Sequence, residues 1–329
     1  MDYTTLGSTG MEVSRIGLGG VSFGSAEPWM LDDSASREII DRAIDLGINF
    51  FDTANAYSTG ESERILGSAL ADYNRDRLVV ATKCFFQMDP DNPNSRGLSR
   101  KAVEQELANS LERLGMETVD LYQTHRWDSR LPTSAVLRTL DDAVRRGQVR
   151  YLGASTMRAY EFAEALHTAD RIGLDRFATM QNHYNLVYRE EEREMLPLCQ
   201  REGVGVIPWS PLARGYLARP DAALRDTERG RTDPYLDRRI AAYRANGGVT
   251  INDRIVELAD AYDASMAQIA LAWLLAKEWV DAPVVSISRL EHLEEAVEAV
   301  DISLADDDVR YLEQPYEAGE EIGFTSAMI

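Results

Sequence analysis

Three side chains that could share a proton lie at the ends of two apolar runs. "INFFD" ends on Asp52, Tyr57 follows in the turn after it, and "VVATK" ends on Lys83. A fourth polar residue, His125, closes "VDLYQTH". A tyrosine hydroxyl ionises at about pH 10, too high for an efficient acid at neutral pH. A neighbouring lysine ammonium favours the phenolate, and a carboxylate paired with that lysine fixes its position and keeps it charged. A histidine beside them would bind a substrate oxygen. Asp–Lys–Tyr–His is therefore a set able to protonate a carbonyl as it becomes an alkoxide. Taken singly, each has an ordinary role: Asp52 capping a turn, Lys83 solvated, Tyr57 a loop aromatic.

The set works only if a fold brings these strand ends together. Eight segments read as buried strands: Arg15–Gly20, Ile48–Asp52, Leu78–Lys83, Val119–His125, Val149–Ser155, Ala178–Asn182, Val204–Ser210 and Pro283–Ser288. Between them the apolar residues recur at helical spacing, as in Ser34–Leu46 with Ser34 as candidate cap, and Leu98–Leu114 with Ser99 as cap. Further helices are predicted near Glu61–Tyr73, Pro132–Arg146, Arg158–Thr168, Glu190–Arg201, Asp253–Tyr262, Ser265–Lys277 and Leu290–Val300. Strand–helix repeats with continuous Val, Ile and Leu runs imply parallel strands covered by helices. An open doubly wound sheet and a closed (β/α)8 TIM barrel both satisfy the pattern. The barrel fits better, because eight units suit it and "GLGG" after the first strand is not a GxGxxG fingerprint. "YTTLGSTGMEVS" reads as a short N-terminal β-hairpin, and Ala213–Asn246 as a long polar loop after strand seven. In a barrel all C-terminal strand ends open on one face, so Asp52, Lys83, His125, Ser155, Gln181 and Trp209 would converge there.

The chain has 329 residues, 44 % hydrophobic, a length normal for one such barrel at about 250 residues or more. Its formal net charge is −20, and only three of its basic residues are lysines: Lys83, Lys101 and Lys277. Nucleic acid is excluded as a partner for want of a basic face. Such acidity suits either an ordinary enzyme kept soluble by self-repulsion or one adapted to high salt, where a Debye length of about 3 Å at 1 M screens that repulsion. Two cysteines, Cys84 and Cys199, make no disulfide framework, and "MDYTTLGSTG" has no leader pattern, so a cytoplasmic location is expected. The longest apolar run, Ala267–Ala276, is too short and interrupted to span a bilayer. No metal is expected, since neither HxH nor HExxH occurs. Cys84 reads as a buried structural thiol rather than a nucleophile, His167 as a surface residue, and His183 either as a wall of the mouth or as a strand-end hydrogen-bonding group.

"FFDTANAY…GESERILG", "VVATK" and "DLYQTHRWD" resemble the aldo-keto reductases over nearly the whole chain, with the tetrad Asp52, Tyr57, Lys83 and His125 in the family's order. "HRWD", "GASTM" and the ending "LEQPYEAGEEIGF" resemble the bacterial and fungal branch near the aryl-alcohol dehydrogenases. The resemblance implies one barrel domain over residues 1–329 that binds NADP(H), with NADH as the open alternative, and reduces an aldehyde or ketone with Tyr57 as general acid/base. It implies that Asp52, Ser155, Thr156 and Gln181 hold the nicotinamide end, with Gly20 and Val21 beside it and Trp209 stacked on the ring. Ser210, Pro211, Leu212, Ala213 and Gly215 would follow the pyrophosphate. Ser286, Ser288, Arg289 and His292 would meet the 2′-phosphate, and Glu295 the adenine. Many members carry Asn where Thr156 stands, Gly where Ser286 stands and Asn where Ala296 stands. Two rival functions share the barrel: a cofactor-sensing regulator of the channel β-subunit type, and a non-redox lyase or isomerase using Tyr57 and Lys83. Substrate identity, reaction direction and the choice between monomer and dimer stay open at this level.

Overall fold

The computed structural model describes residues 1–319. An antiparallel hairpin, β1 (Tyr3–Thr5) and β2 (Glu12–Ser14), precedes eight parallel strands. These are β3 (Gly17–Gly19), β4 (Phe50–Asp52), β5 (Val79–Cys84), β6 (Val119–Thr124), β7 (Val149–Ser155), β8 (Phe177–Gln181), β9 (Gly205–Val206) and β10 (Val284–Val285). Their order runs β10-β3-β4-β5-β6-β7-β8-β9. The sheet closes on itself. Trp209 bridges Val284 in parallel, the Val284 amide donates to Pro208 O at 2.9 Å, and the Asp281 amide donates to Val206 O at 2.9 Å. A closed barrel leaves no sheet edge to protect.

Inside the barrel, Phe50, Val79, Ala81, Leu121, Ile207, Ala282 and Val284 form one apolar cluster, and Leu6 and Val13 of the hairpin complete it. The hairpin thus plugs the end of the barrel away from the polar strand ends. The plug requires glycine at its tip. Gly7 has φ +52°, and a Cβ there would lie 2.4 Å from the Gly205 amide nitrogen. The Gly7 amide instead donates to Asp281 Oδ2 at 2.8 Å.

Helices α1 (Asp33–Asp45), α2 (Glu61–Leu70), α3 (Arg100–Leu114), α4 (Thr133–Arg145), α5 (Ala159–Ile172) and α6 (Met195–Glu202) cover the outside. Ser99 caps α3 as expected, its Oγ accepting from the Ala102 amide at 3.2 Å. At α1 the cap is Asp32, two residues earlier than Ser34, because its carboxylate accepts from the Ala35 amide at 2.9 Å.

The segment Ala213–Asn246 is not a plain loop. It carries α7 (Glu228–Thr232) and α8 (Leu236–Tyr243), preceded by two short 3-10 turns and followed by a π-helical turn at Arg244–Gly248. Leu236, Ile240 and Tyr243 recur at helical spacing and are all buried, while the intervening charges conceal that stripe in the sequence. Helices α9 (Val249–Tyr262), α10 (Met266–Leu275) and α11 (Leu290–Glu298) follow, and α12 (Asp306–Glu313), absent from the expected elements, packs on α9. Of the stretch "LEQPYEAGEEIGF", residues 320–324 lie outside the described residues. Among the described residues no helix is long and apolar enough to cross a membrane.

Candidate active site

The strands deliver the four polar groups to one mouth. Asp52 ends β4 opposite Ala81 of β5, and Lys83, two residues further along β5, sits in register with Gln123 of β6. The Lys83 ammonium is fully buried and uses all three protons: on Asp52 Oδ2 at 2.5 Å, Thr53 O at 2.9 Å and the Tyr57 hydroxyl at 3.3 Å. Burial alone would depress its pKa, but the Asp52 carboxylate, helped by the interaction with Tyr57, outweighs burial and holds it above the usual lysine range. The other Asp52 oxygen accepts from Gln123 Nε2 at 2.8 Å and Gln181 Nε2 at 3.0 Å. Gln123 is a positioning residue that sequence reasoning missed, because nothing in its neighbourhood marks it off from a core polar residue of a strand.

His125 lies edge-on to Tyr57, with ring centroids 5.6 Å apart, and edge-on to Phe86 at 4.8 Å. Burial drives its pKa well below the ordinary histidine value, and Lys83 and Arg126 drive it further, so the imidazole is neutral at pH 7. Cys84, next to Lys83, is buried and its thiol is pushed up to about 12 by burial, which leaves it protonated.

Trp209 stands at the head of a column. His183 stacks beneath it at 4.3 Å and 12°, and Tyr188 stacks beneath His183 at the same spacing. His183 Nε2 shares a hydrogen bond with the Tyr243 hydroxyl at 2.9 Å, and burial keeps the ring neutral. Trp209 Nε1 donates to Thr156 Oγ1 at 3.1 Å, which fixes the rotation of the indole in its own plane. Thr156 is held from behind: its amide donates to Gln181 O and to Asn182 Oδ1 at 3.2 and 3.1 Å, with φ at +48°. Of the two roles the sequence left open, His183 takes the strand-end hydrogen-bonding one, with Tyr243 and Asn185, and it also stacks under Trp209.

A cavity of about 1710 Å³ runs from Tyr57 and His125 to Arg289 and His292. Single-ligand sites are usually about 300–1,000 Å³, so this one has room for two molecules end to end. Of the residues expected to hold a cofactor, Val21, Asp52, Ser155, Gln181, Trp209, Ser210, Pro211, Leu212, Gly215, Ser286, Ser288, Arg289, His292 and Glu295 line it. Gly20, Thr156 and Ala213 lie behind its wall; Gly20 O, for example, accepts from Ser62 Oγ at 2.7 Å. Gly19 lets β3 approach β10, since a Cβ there would meet Ser286 Oγ at 2.8 Å and Val284 Cγ1 at 2.9 Å.

At the far end, Arg219 joins Arg289 and His292. Burial lowers the Arg219 pKa and the like charge of Arg289 lowers it further, while its Nε has no hydrogen-bond partner among the described residues. Two facing cations and an unpartnered buried donor make an anion site, to which the start of α11 adds its amide groups. Arg219 was missed by the sequence reading, as were Arg126, Arg214, Arg229 and Arg239 on the same wall. A signal was present: Ala213–Asn246 holds eight arginines against five acidic residues in a chain of net charge −20.

A (β/α)8 barrel with four polar groups gathered at the mouth of a long cavity, at the C-terminal face of its strands, has the layout of an enzyme scaffold. The family model described as Aldo/keto reductase family matches residues 15–317. The versiconal hemiacetal acetate reductase of Aspergillus parasiticus is 41 % identical, over 96 % of this chain and 97 % of that protein. A protein of Schizosaccharomyces pombe named, provisionally, as an aryl-alcohol dehydrogenase is 42 % identical over 95 % of both chains. An aldo-keto reductase of Fusarium vanettenii is 40 % identical, over 96 % of this chain and 91 % of its own. The chain belongs to the aldo/keto reductase family. It is accordingly an oxidoreductase acting on small-molecule carbonyl compounds with a nicotinamide cofactor.

Proposed function

We propose that the protein reduces an aldehyde or ketone to an alcohol, or runs the reverse, with NADP(H) as cofactor and Tyr57 as general acid/base. The observation that carries this reading is the Lys83 ammonium, buried between Asp52 and the Tyr57 hydroxyl at the mouth of a cavity long enough for a dinucleotide and a substrate.

Ser155 and Gln181 would hold the nicotinamide end against Trp209, and Ser210, Pro211, Leu212 and Gly215 would follow the pyrophosphate. Ser286, Ser288, Arg289 and His292, joined by Arg219, would take the 2′-phosphate, and Glu295 would face the adenine. The unpartnered Arg219 Nε and the paired guanidiniums support NADPH over NADH. When bound, the cofactor supplies the hydride. Tyr57 donates its proton to the carbonyl oxygen, and Lys83 stabilises the negative charge left on the phenol oxygen. Asp52 anchors Lys83 and is itself anchored by Gln123 and Gln181. Neutral His125 aligns the substrate oxygen by a hydrogen bond, without a competing positive charge beside Tyr57.

Titration of the protein with NADPH and NADH, followed by tryptophan fluorescence, tests the cofactor site. NADPH is expected to quench at lower concentration than NADH. Tyr57→Phe is expected to keep that quenching and to lose about 10²–10⁴-fold in kcat with any aldehyde turned over. Unchanged kcat would remove Tyr57 as the acid, and no quenching by either nucleotide would leave the barrel to non-redox chemistry.

The acidic surface fits a cytoplasm of high salt: arginine supplies all but three of the basic residues, and both cysteines are free and buried. Stability measured by denaturant is expected to rise between low and molar KCl, and a flat or falling response would refute salt adaptation.

A further inference from the structure

Seven arginines face the long cavity: Arg126, Arg214, Arg219, Arg229, Arg238, Arg239 and Arg289. Among the described residues the acids on the same wall are three, Asp52, Glu228 and Glu295, and Asp52 is committed to Lys83. In a chain of net charge −20 this reversal is local and requires an account. Part of it belongs to the far end, where Arg219 and Arg289 form the anion site described above. Arg214 and Arg229 share the Asp233 carboxylate. The remaining partly buried pair, Arg126 and Arg239, has no carboxylate partner among the described residues.

Their position is specific. Arg126 follows His125 in the chain, and its Nη1 donates to His125 O at 2.6 Å. Its guanidinium lies 5.6 Å from the centroid of Phe86, whose ring in turn meets the His125 ring at 4.8 Å. Arg239 projects from α8 and makes no side-chain hydrogen bond among the described residues. Burial pushes Arg126 down to about 10, with Arg239 as a contributing like charge, so both stay charged at pH 7 and repel each other. An uncompensated buried guanidinium is costly in a folded protein, and a pair of them is costlier. A bound anion removes the cost.

We propose that Arg126 and Arg239 form a substrate anion clamp, and that the preferred carbonyl substrates carry a carboxylate or phosphate group away from the reacting carbon. The inference rests on the reading of Tyr57 and His125 as the reacting end of the cavity. Arg126 sits beside His125, and Arg239 lines the same cavity within reach of the Arg126 charge, so one molecule can meet the pair while its carbonyl oxygen meets Tyr57. Guanidinium forks suit both oxyanions, since each offers parallel donors to two oxygens.

The test compares matched aldehydes with NADPH. 4-Carboxybenzaldehyde is set against 4-methylbenzaldehyde, and glyceraldehyde 3-phosphate against glyceraldehyde, which separates a carboxylate preference from a phosphate one. At least one charged member is expected to exceed its neutral partner in kcat/KM by about tenfold to a hundredfold, mainly through KM. In Arg126→Gln and Arg239→Gln that ratio is expected to fall by about tenfold, with Arg239→Lys restoring part of it and with the NADPH Kd within twofold of the parent. Calorimetric titration of benzoate into the protein with NADP+ is expected to show binding that Arg239→Gln weakens. Neutral aldehydes turned over as well as charged ones in both pairs would overturn the clamp and leave carbonyl reduction standing. A weakened NADPH Kd with an unchanged substrate ratio would also overturn it, assigning the pair to the cofactor. No turnover of any of the four aldehydes would remove the carbonyl-reduction reading, and the clamp with it.

Discussion

The two ends of this active site treat charge in opposite ways. At the strand ends Asp52 and Lys83 cancel each other inside the protein, and every polar atom of the pair has a partner. Along the cavity wall Arg126 and Arg239 are partly buried and have no carboxylate partner among the described residues, and Arg219 has only the charge of Asp226 near it there. A buried charge that is matched internally sets geometry, because any displacement costs both hydrogen bonds and Coulomb energy. A buried charge left unmatched is energy held for a ligand, because binding supplies the missing partner. The first region reads as machinery and the second as recognition.

Breaking the matched pair gives the largest expected effect on the fold. Lys83→Met leaves Asp52 buried without its cation and is expected to cost about 3–5 kcal/mol, read from the urea midpoint. The double variant Asp52→Asn/Lys83→Met is expected to recover part of that loss, although both variants lose turnover. If the double variant were as unstable as the single, the pair would not be the source of the cost.

Breaking a charge of the cavity wall, here the exposed Arg289 at its far end, is expected to leave the fold in place and move only binding. Arg289→Gln is expected to weaken NADPH by about 10–100-fold while shifting NADH less than about twofold, both by fluorescence titration. An equal loss for the two nucleotides would place Arg289 away from the 2′-phosphate.

The smallest effect concerns the seam between the regions. Thr156 supports Trp209 from a left-handed backbone, with φ at +48°, where a β-branched residue is strained. Asn tolerates that conformation and still offers an acceptor to Trp209 Nε1. Thr156→Asn is expected to stabilise the protein by about 0.5–1 kcal/mol in denaturant unfolding with Trp209 quenching retained. This also gives a backbone reason for the Asn that many members of the family carry there.

Much of the fold was legible because its signals are local. Val79–Ala81 is a continuous apolar run, Val119, Leu121 and Tyr122 give the next strand its apolar residues, and the helix at Arg100–Leu114 announces both its stripe and its cap. The strands at Gly17–Gly19 and Val284–Val285 came out shorter than their apolar runs, since barrel closure pairs only part of each. The helices inside Ala213–Asn246 were not legible, because Leu236, Ile240 and Tyr243 sit among charged residues, and only the fold turns them inward, Tyr243 onto His183.

The sequence alone determined which residues could move a proton and that eight strand–helix units would carry them, since residue type and periodicity are properties of the chain read in order. Only the tertiary structure decided how they are held. Gln123 and Gln181 meet on one oxygen of Asp52 from 71 and 129 residues away, and His183 comes to lie under Trp209. It likewise decided that arginines scattered through an acidic chain face one cavity, because which charges are left unmatched depends on burial and on neighbours that adjacency along the chain does not record.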